Sequence, residues 1–265
     1  MIVAAQALPL PRARDRVAVL GVLAGLAALS WAYMFYMEWG MRRMEFGAYM
    51  AIMPAMTDWG FADLCLVWLM WAMMMTAMML PSAVPMALAY LGIRRARGGA
   101  ARPIVTTSLL IAGYLAVWIA FSIAASLLQW ALLEAALITP MMDSASTILS
   151  GSLLIGAGVF QFTSLKRACL TGCRSPVQFL LNAWQDGLLG PFATGWKNGT
   201  VCLGCCWALM LLPLALGVMN LLWMAALTGF LLVEKAFPRG DWVGRIAGFA
   251  LISWGSAVLA THLVS

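Results

Sequence analysis

Charge is what this chain has least of. Among 265 residues, 16 are Lys or Arg and 10 are Asp or Glu, while 64% are apolar. Soluble domains carry about a quarter charged residues, so this balance excludes a soluble globular protein and points to one embedded in a lipid bilayer. Histidine is almost missing: His262 is the single copy, near the C-terminal end, where an interfacial role is commoner than ligation. The sequence shows no Ser-His-Asp set, no paired carboxylates, no phosphate-binding glycine loop and no nucleotide motif, so no enzyme activity is expected. Repeats, low-complexity linkers and a soluble domain are lacking as well. The expected organisation is a single helical membrane domain over residues 1–265, with residues 1–16 as a cytoplasmic segment.

What the chain does have is long apolar runs. A spanning helix needs about 20 apolar residues, whereas barrel strands take about 10 in strict alternation, so the runs predict helices. They fall at 17–37, 62–81, 104–133, 146–168, 190–217, 219–236 and 243–263. The predicted fold class is therefore all-α, a polytopic transmembrane bundle of about seven spans, with six as the alternative. Residues 201–233 form either one helix kinked at Pro213 or two helices turning at 217–220. The run from 17 is too long for a cleaved signal and ends in bulky aromatics and Met, which makes it the first span.

Cationic residues collect in cytoplasmic loops. Arg12, Arg14 and Arg16, then Arg94, Arg95, Arg97 and Arg102, then Lys166, Arg167 and Arg174 place the N-terminus and the even-numbered turns inside. Placing Lys235, Arg239 and Arg245 inside too favours seven spans. The net charge of +6 is thus accounted for by topology and gives no reason to invoke nucleic acid.

Five of the six cysteines lie within residues 169–206, in "LKRACLTGCRSP" and "CLGCC". Adjacent cysteines such as Cys205 and Cys206 do not bridge each other without strain, which argues against a disulfide framework. If the fourth helix runs past Lys166, Cys169 and Cys173 share one face; Cys202 and Cys206 repeat that spacing, with Cys205 three residues after Cys202. The stretch between, with Val177, Phe179, Leu180, Leu181 and Trp184, predicts a short interfacial amphipathic helix that folds the two pairs together. Arg167, Arg174 and Lys197 would favour thiolate, the metal-binding form. Free Cys is also a common buried hydrophobe, and the lone Cys65 is assigned that role.

Methionine supplies a second soft-ligand pattern. Met70, Met74 and Met78 fall four apart in "WLMWAMMMTAMMLPSAVP", beside Met75 and Met79, and Met34, Met37, Met41, Met44, Met53 and Met56 lie toward the outer face. Thioethers select Cu(I) and survive where thiols oxidise. A Met stripe at helical spacing is otherwise ordinary core. Met outside and Cys inside is the order expected of a protein handling Cu(I) between an oxidising and a reducing compartment.

These stretches resemble a bacterial domain-of-unknown-function family of predicted metal-binding membrane proteins, often labelled copper chaperones. The resemblance covers most of residues 60–260. It rests on a Gln-x4-Lys-x2-Cys-x3-Cys block, here Gln161, Lys166, Cys169 and Cys173, and on Cys-x-x-Cys-Cys-Trp from Cys202 to Trp207. It implies a bacterial inner-membrane protein with a metal site at these cysteines. Family members usually carry His-Gly ahead of the second motif; this chain has Asn198-Gly199.

The leading expectation is a Cu(I)-binding protein using Cys169, Cys173, Cys202, Cys205, Cys206, Met74 and Met78, delivering copper to a copper-dependent enzyme. The alternative is an accessory subunit packed against a larger membrane complex. A thiol redox protein is third, since Cys202 and Cys205 make a C-x-x-C without a thioredoxin-like pattern around it.

Overall fold

The computed structural model describes residues 13–43, 59–97, 103–139, 145–237 and 240–264. Those residues form helices and turns, with no β-strand among them. The helices are α1 (Ala13–Arg43), α2 (Phe61–Ala96), α3 (Pro103–Glu134), α4 (Thr147–Phe160), α5 (Ser164–Arg174), α6 (Pro176–Ala183), α7 (Gly190–Met210), α8 (Pro213–Leu216), α9 (Leu221–Ala236) and α10 (Gly240–Val264).

Five are long and apolar enough to cross a membrane: α1, α2, α3, the α7–α8 stretch and α10. A sixth crossing is available if the bent pair α4–α5 counts as one. The seventh expected span, 219–236, is a helix of 16 residues. At 1.5 Å per residue it is about 24 Å long, short of a hydrocarbon layer of about 30 Å.

The predicted fourth helix does not run straight past Lys166. It stops at Phe160 and resumes at Ser164 after a 64° bend. Thr163 begins the new helix, its hydroxyl accepting from the Lys166 amide at 3.3 Å, as a helix N-cap does. The 201–233 region resolves into the α7–α8 stretch and, after a turn, α9. Gly217, at φ 92°, ends the first, and the Asn220 side chain caps α9 by accepting from Leu222 and Trp223.

Helices α2, α3 and α7 make the centre, with α1 against α2, α10 against α4, and α5 and α9 closing one end. Trp71, Trp118, Met70, Met74, Met75, Met78 and Met79 are fully buried there. The Trp71 indole donates to Gln129 Oε1 at 2.6 Å, a polar contact between α2 and α3 deep in the apolar core. Phe35, Ile123, Ile246 and Phe249 stay exposed on the outside, as residues facing hydrocarbon do.

Small residues set the closest approaches. A Cβ on Gly199 of α7 would lie 3.0 Å from the Tyr114 carbonyl of α3, so this glycine lets the two helices approach. A Cβ on Gly21 or Gly25 of α1 would meet nothing within 4 Å, so these two glycines set no close approach among the described residues. Helices α4 and α10 instead meet through Gly158 against Gly248 and Gly151 against Gly255.

One end of the bundle gathers several expected loops. Asp15 pairs with Arg95, Arg97 lies 4.5 Å over the Trp184 ring, and Tyr90 stacks on the same ring at 5.2 Å. The short α6 buries Leu180 and exposes Leu181. Met44, Met53 and Met56 lie outside the described residues, as does the side chain of His262.

Candidate metal centre

The thiols meet where α5 crosses α7. Gly204, the middle residue of "CLGCC", permits the crossing, since a Cβ there would lie 2.7 Å from Cys169 Sγ. Cys173 Sγ then sits 3.8 Å from Cys205 Sγ. With Cys202 they form a group whose sulfur atoms all lie within 4.8 Å of one another. Metal–thiolate bonds of about 2.3 Å would put three sulfurs about 4.0 Å apart around a trigonal ion, or two about 4.6 Å apart around a linear one. The observed spacing suits both arrangements.

Not every predicted ligand joins this group. Cys206 is buried and directs its thiol to the Cys202 carbonyl at 3.0 Å, as Cys205 also does. Cys169 is half-buried beside Gly204. Cys65 is exposed at the start of α2, apart from the cluster. Met74 and Met78 are buried on α2 two turns and one turn before Ser82. Met86, one turn after Ser82, lines a cavity of about 20 Å³ together with Cys173, Cys202, Tyr114, Asn198 and Lys235. A water needs about 10–15 Å³ by this measure, so the space admits one guest the size of a bare ion.

Four helices converge on Cys202. Its sulfur lies 3.1 Å from the Tyr114 hydroxyl of α3 and 3.1 Å from Lys235 Nζ of α9. Lys235 also donates to Ser82 Oγ of α2 at 3.2 Å, and Ser82 Oγ lies 3.2 Å from Tyr114. The result is a closed ring of four polar groups with edges of 3.1–3.2 Å. Lys235 thus supplies the positive charge that would face a thiolate at Cys202.

That role was expected of Arg167, Arg174 and Lys197. Arg174 instead engages Asp241 at 3.0 Å and the Phe237 carbonyl, Lys197 is exposed, and Arg167 lines a different cavity. Lys235 had been placed as a loop charge. Its signal was the run "LVEKAF", where a charged pair stands at the end of an otherwise apolar helix.

The sequence profile of the PpoB2 family, described as copper chaperones, matches residues 68–258. The chain belongs to that family. No match was found among curated proteins or among solved structures. In this member of the copper chaperone family the matched region contains all five clustered thiols, Lys235, Tyr114 and Ser82. Asn198, at the place where related sequences were expected to carry His, is 7% exposed and lines the thiol cavity.

Proposed function

We propose that this copper chaperone family member binds Cu(I) through the thiolates of Cys173, Cys202 and Cys205 and hands it to a copper-dependent partner enzyme, without catalysing a reaction itself. The observation that carries the proposal is the group of three sulfurs within 4.8 Å of one another, two of which, on Cys173 and Cys202, belong to residues lining a cavity with room for one ion. Soft sulfur donors in a trigonal or linear set favour Cu(I) over ions that require four ligands. Met74 and Met78, with Met70 before them and Met86 beyond Ser82, form the approach to the site along one side of α2. The protein sits in the bacterial inner membrane with its N-terminus and the Arg95–Trp184 end in the cytoplasm, since cationic residues concentrate there.

The test is Cu(I) uptake by protein purified without chelators, followed against a chromophoric Cu(I) competitor. The parent should take up about one equivalent, the number of ions one cavity of this size admits. Replacing both Cys202 and Cys205 with Ser should abolish uptake and leave helix content unchanged, because Ser is nearly isosteric and its hydroxyl bonds to its own helix. Uptake by the double variant equal to the parent's overturns the site. A parent that takes up no Cu(I) and co-purifies with a membrane complex favours the accessory-subunit reading.

A further inference from the structure

A second cavity, of about 250 Å³, lies between α4, α5, α9 and α10 and shares no lining residue with the thiol cavity. Its lining includes Gln161, Lys166, Glu234, Asp241, Arg245 and Phe249. Gln161 and Lys166 belong to the Gln-x4-Lys-x2-Cys-x3-Cys block, yet neither touches the thiol group described above.

Gln161 is 4% exposed, and neither its amide oxygen nor its amide nitrogen has a hydrogen-bond partner. Leaving a buried polar atom unpaired is costly, so a guest offering both a donor and an acceptor would be held here. Lys166 and Glu234 are committed to each other, with Lys166 Nζ 2.8 and 2.9 Å from the two carboxylate oxygens. Asp241 is held by Arg174 at 3.0 Å. Arg167 and Arg245 therefore leave the cavity with excess positive charge.

Gly244 has no Cβ, and one built there would lie 2.5 Å from Glu234 Oε1 and 3.5 Å from Gln161 Oε1, so two acceptor oxygens look onto one spot. Arg245 follows directly on α10, its guanidinium 5.6 Å from the Trp242 ring. From there Trp242, Ile246 and Phe249, spaced by four and three, expose a continuous apolar face, each more than 60% exposed. Tryptophan of this kind sits at headgroup level.

We infer that this cavity is a binding site for a phospholipid headgroup that carries a primary ammonium, the phosphodiester on Arg245 and Arg167, the ammonium at the amide oxygen of Gln161, and the acyl chains along Trp242, Ile246 and Phe249. The site does not depend on copper binding.

The full-length protein, delipidated in detergent, is to be titrated with phosphatidylethanolamine and with phosphatidylcholine of the same acyl chains, reading the thermal midpoint and the bound lipid by native mass spectrometry. Phosphatidylethanolamine should bind about tenfold more tightly than phosphatidylcholine, which has no N–H to donate; hydrogen bonds to charged groups support a ratio of that order. Gln161→Leu should remove this preference while keeping the unliganded protein at least as stable, since it deletes two unpaired polar atoms. Arg245→Gln should weaken both lipids. Cu(I) uptake should be unchanged in both variants. Equal affinity for the two lipids, or an undiminished preference in Gln161→Leu, overturns the inference. So does an equal stabilisation by water-soluble phosphoethanolamine without lipid, which would make the cavity a solute site.

Discussion

Asn198 places an amide, a poor soft-metal ligand, in the cavity lined by two of the three thiols, Cys173 and Cys202. An imidazole there would complete a Cys3His set, the kind of tetrahedron that zinc occupies in structural sites. Asn198→His should therefore tighten Zn(II) binding by about tenfold or more, a change of about 1.4 kcal/mol, and tighten Cu(I) less. Competition titrations with a metal indicator check this, and an unchanged Zn(II) affinity would show that residue 198 does not reach the ion. At this scale the thiols were legible because packing alone gives no reason to crowd five of them into one short stretch. Their polar neighbours were not. Tyr114 stands 88 positions from Cys202, and Lys235 stands 153 from Ser82. Each sits on its own helix, and only tertiary packing turns four isolated residues into a ring.

Helices α4 and α10 show how much a single methyl group can matter. A Cβ on Gly158 would lie 2.8 Å from the Gly248 carbonyl and 2.7 Å from Ile252 Cγ1, whereas one on Gly156 meets nothing within 4 Å. Gly158→Ala should destabilise the protein by about 1–3 kcal/mol through overpacking. Gly156→Ala should be neutral or stabilising by up to about 1 kcal/mol, because Ala is the better helix former. Thermal midpoints in detergent should move in opposite directions, and a common shift would refute the close approach. Apolar runs marked the long helices well, since hydropathy is a property of the segment itself. The bend at 161–163 was hidden because Gln161 and Thr163 lie inside a run whose mean hydropathy still suits one span. The turn at 217–220 was visible as an option in "GVMN", but Gly217 and the Asn220 cap were needed to decide it.

For the whole molecule, the Asp15–Arg95 pair and the Trp184 stack tie the first, second and sixth helices at one end, while α3 carries Ala136 to the other. Cysteines introduced at Arg97 and Asp186, in a background without the native thiols, should react with an impermeant reagent only when it is supplied from the cytoplasmic side. One at Ala136 should react only from outside. The reverse pattern would invert the proposed orientation. The loop charges are the sequence's argument for that orientation, but they say nothing of the ring Lys235 joins, because charge bias reports the side of a membrane and not the depth at which a side chain settles.

Glu234 and Lys235, consecutive on α9, hold that helix in two directions, the first to Lys166 on α5 and the second to Cys202 on α7. A cation arriving at the thiols takes over the charge that Lys235 supplies, while Glu234 keeps the last turn of α9 pinned. Loading then asks for the swing of one four-carbon side chain. Side-chain motion is faster than the microseconds to milliseconds that displacement of a helix takes. If the thiols bind a cation as proposed, loading asks no helix to move, and the dwell time of the ion would follow from its sulfur bonds.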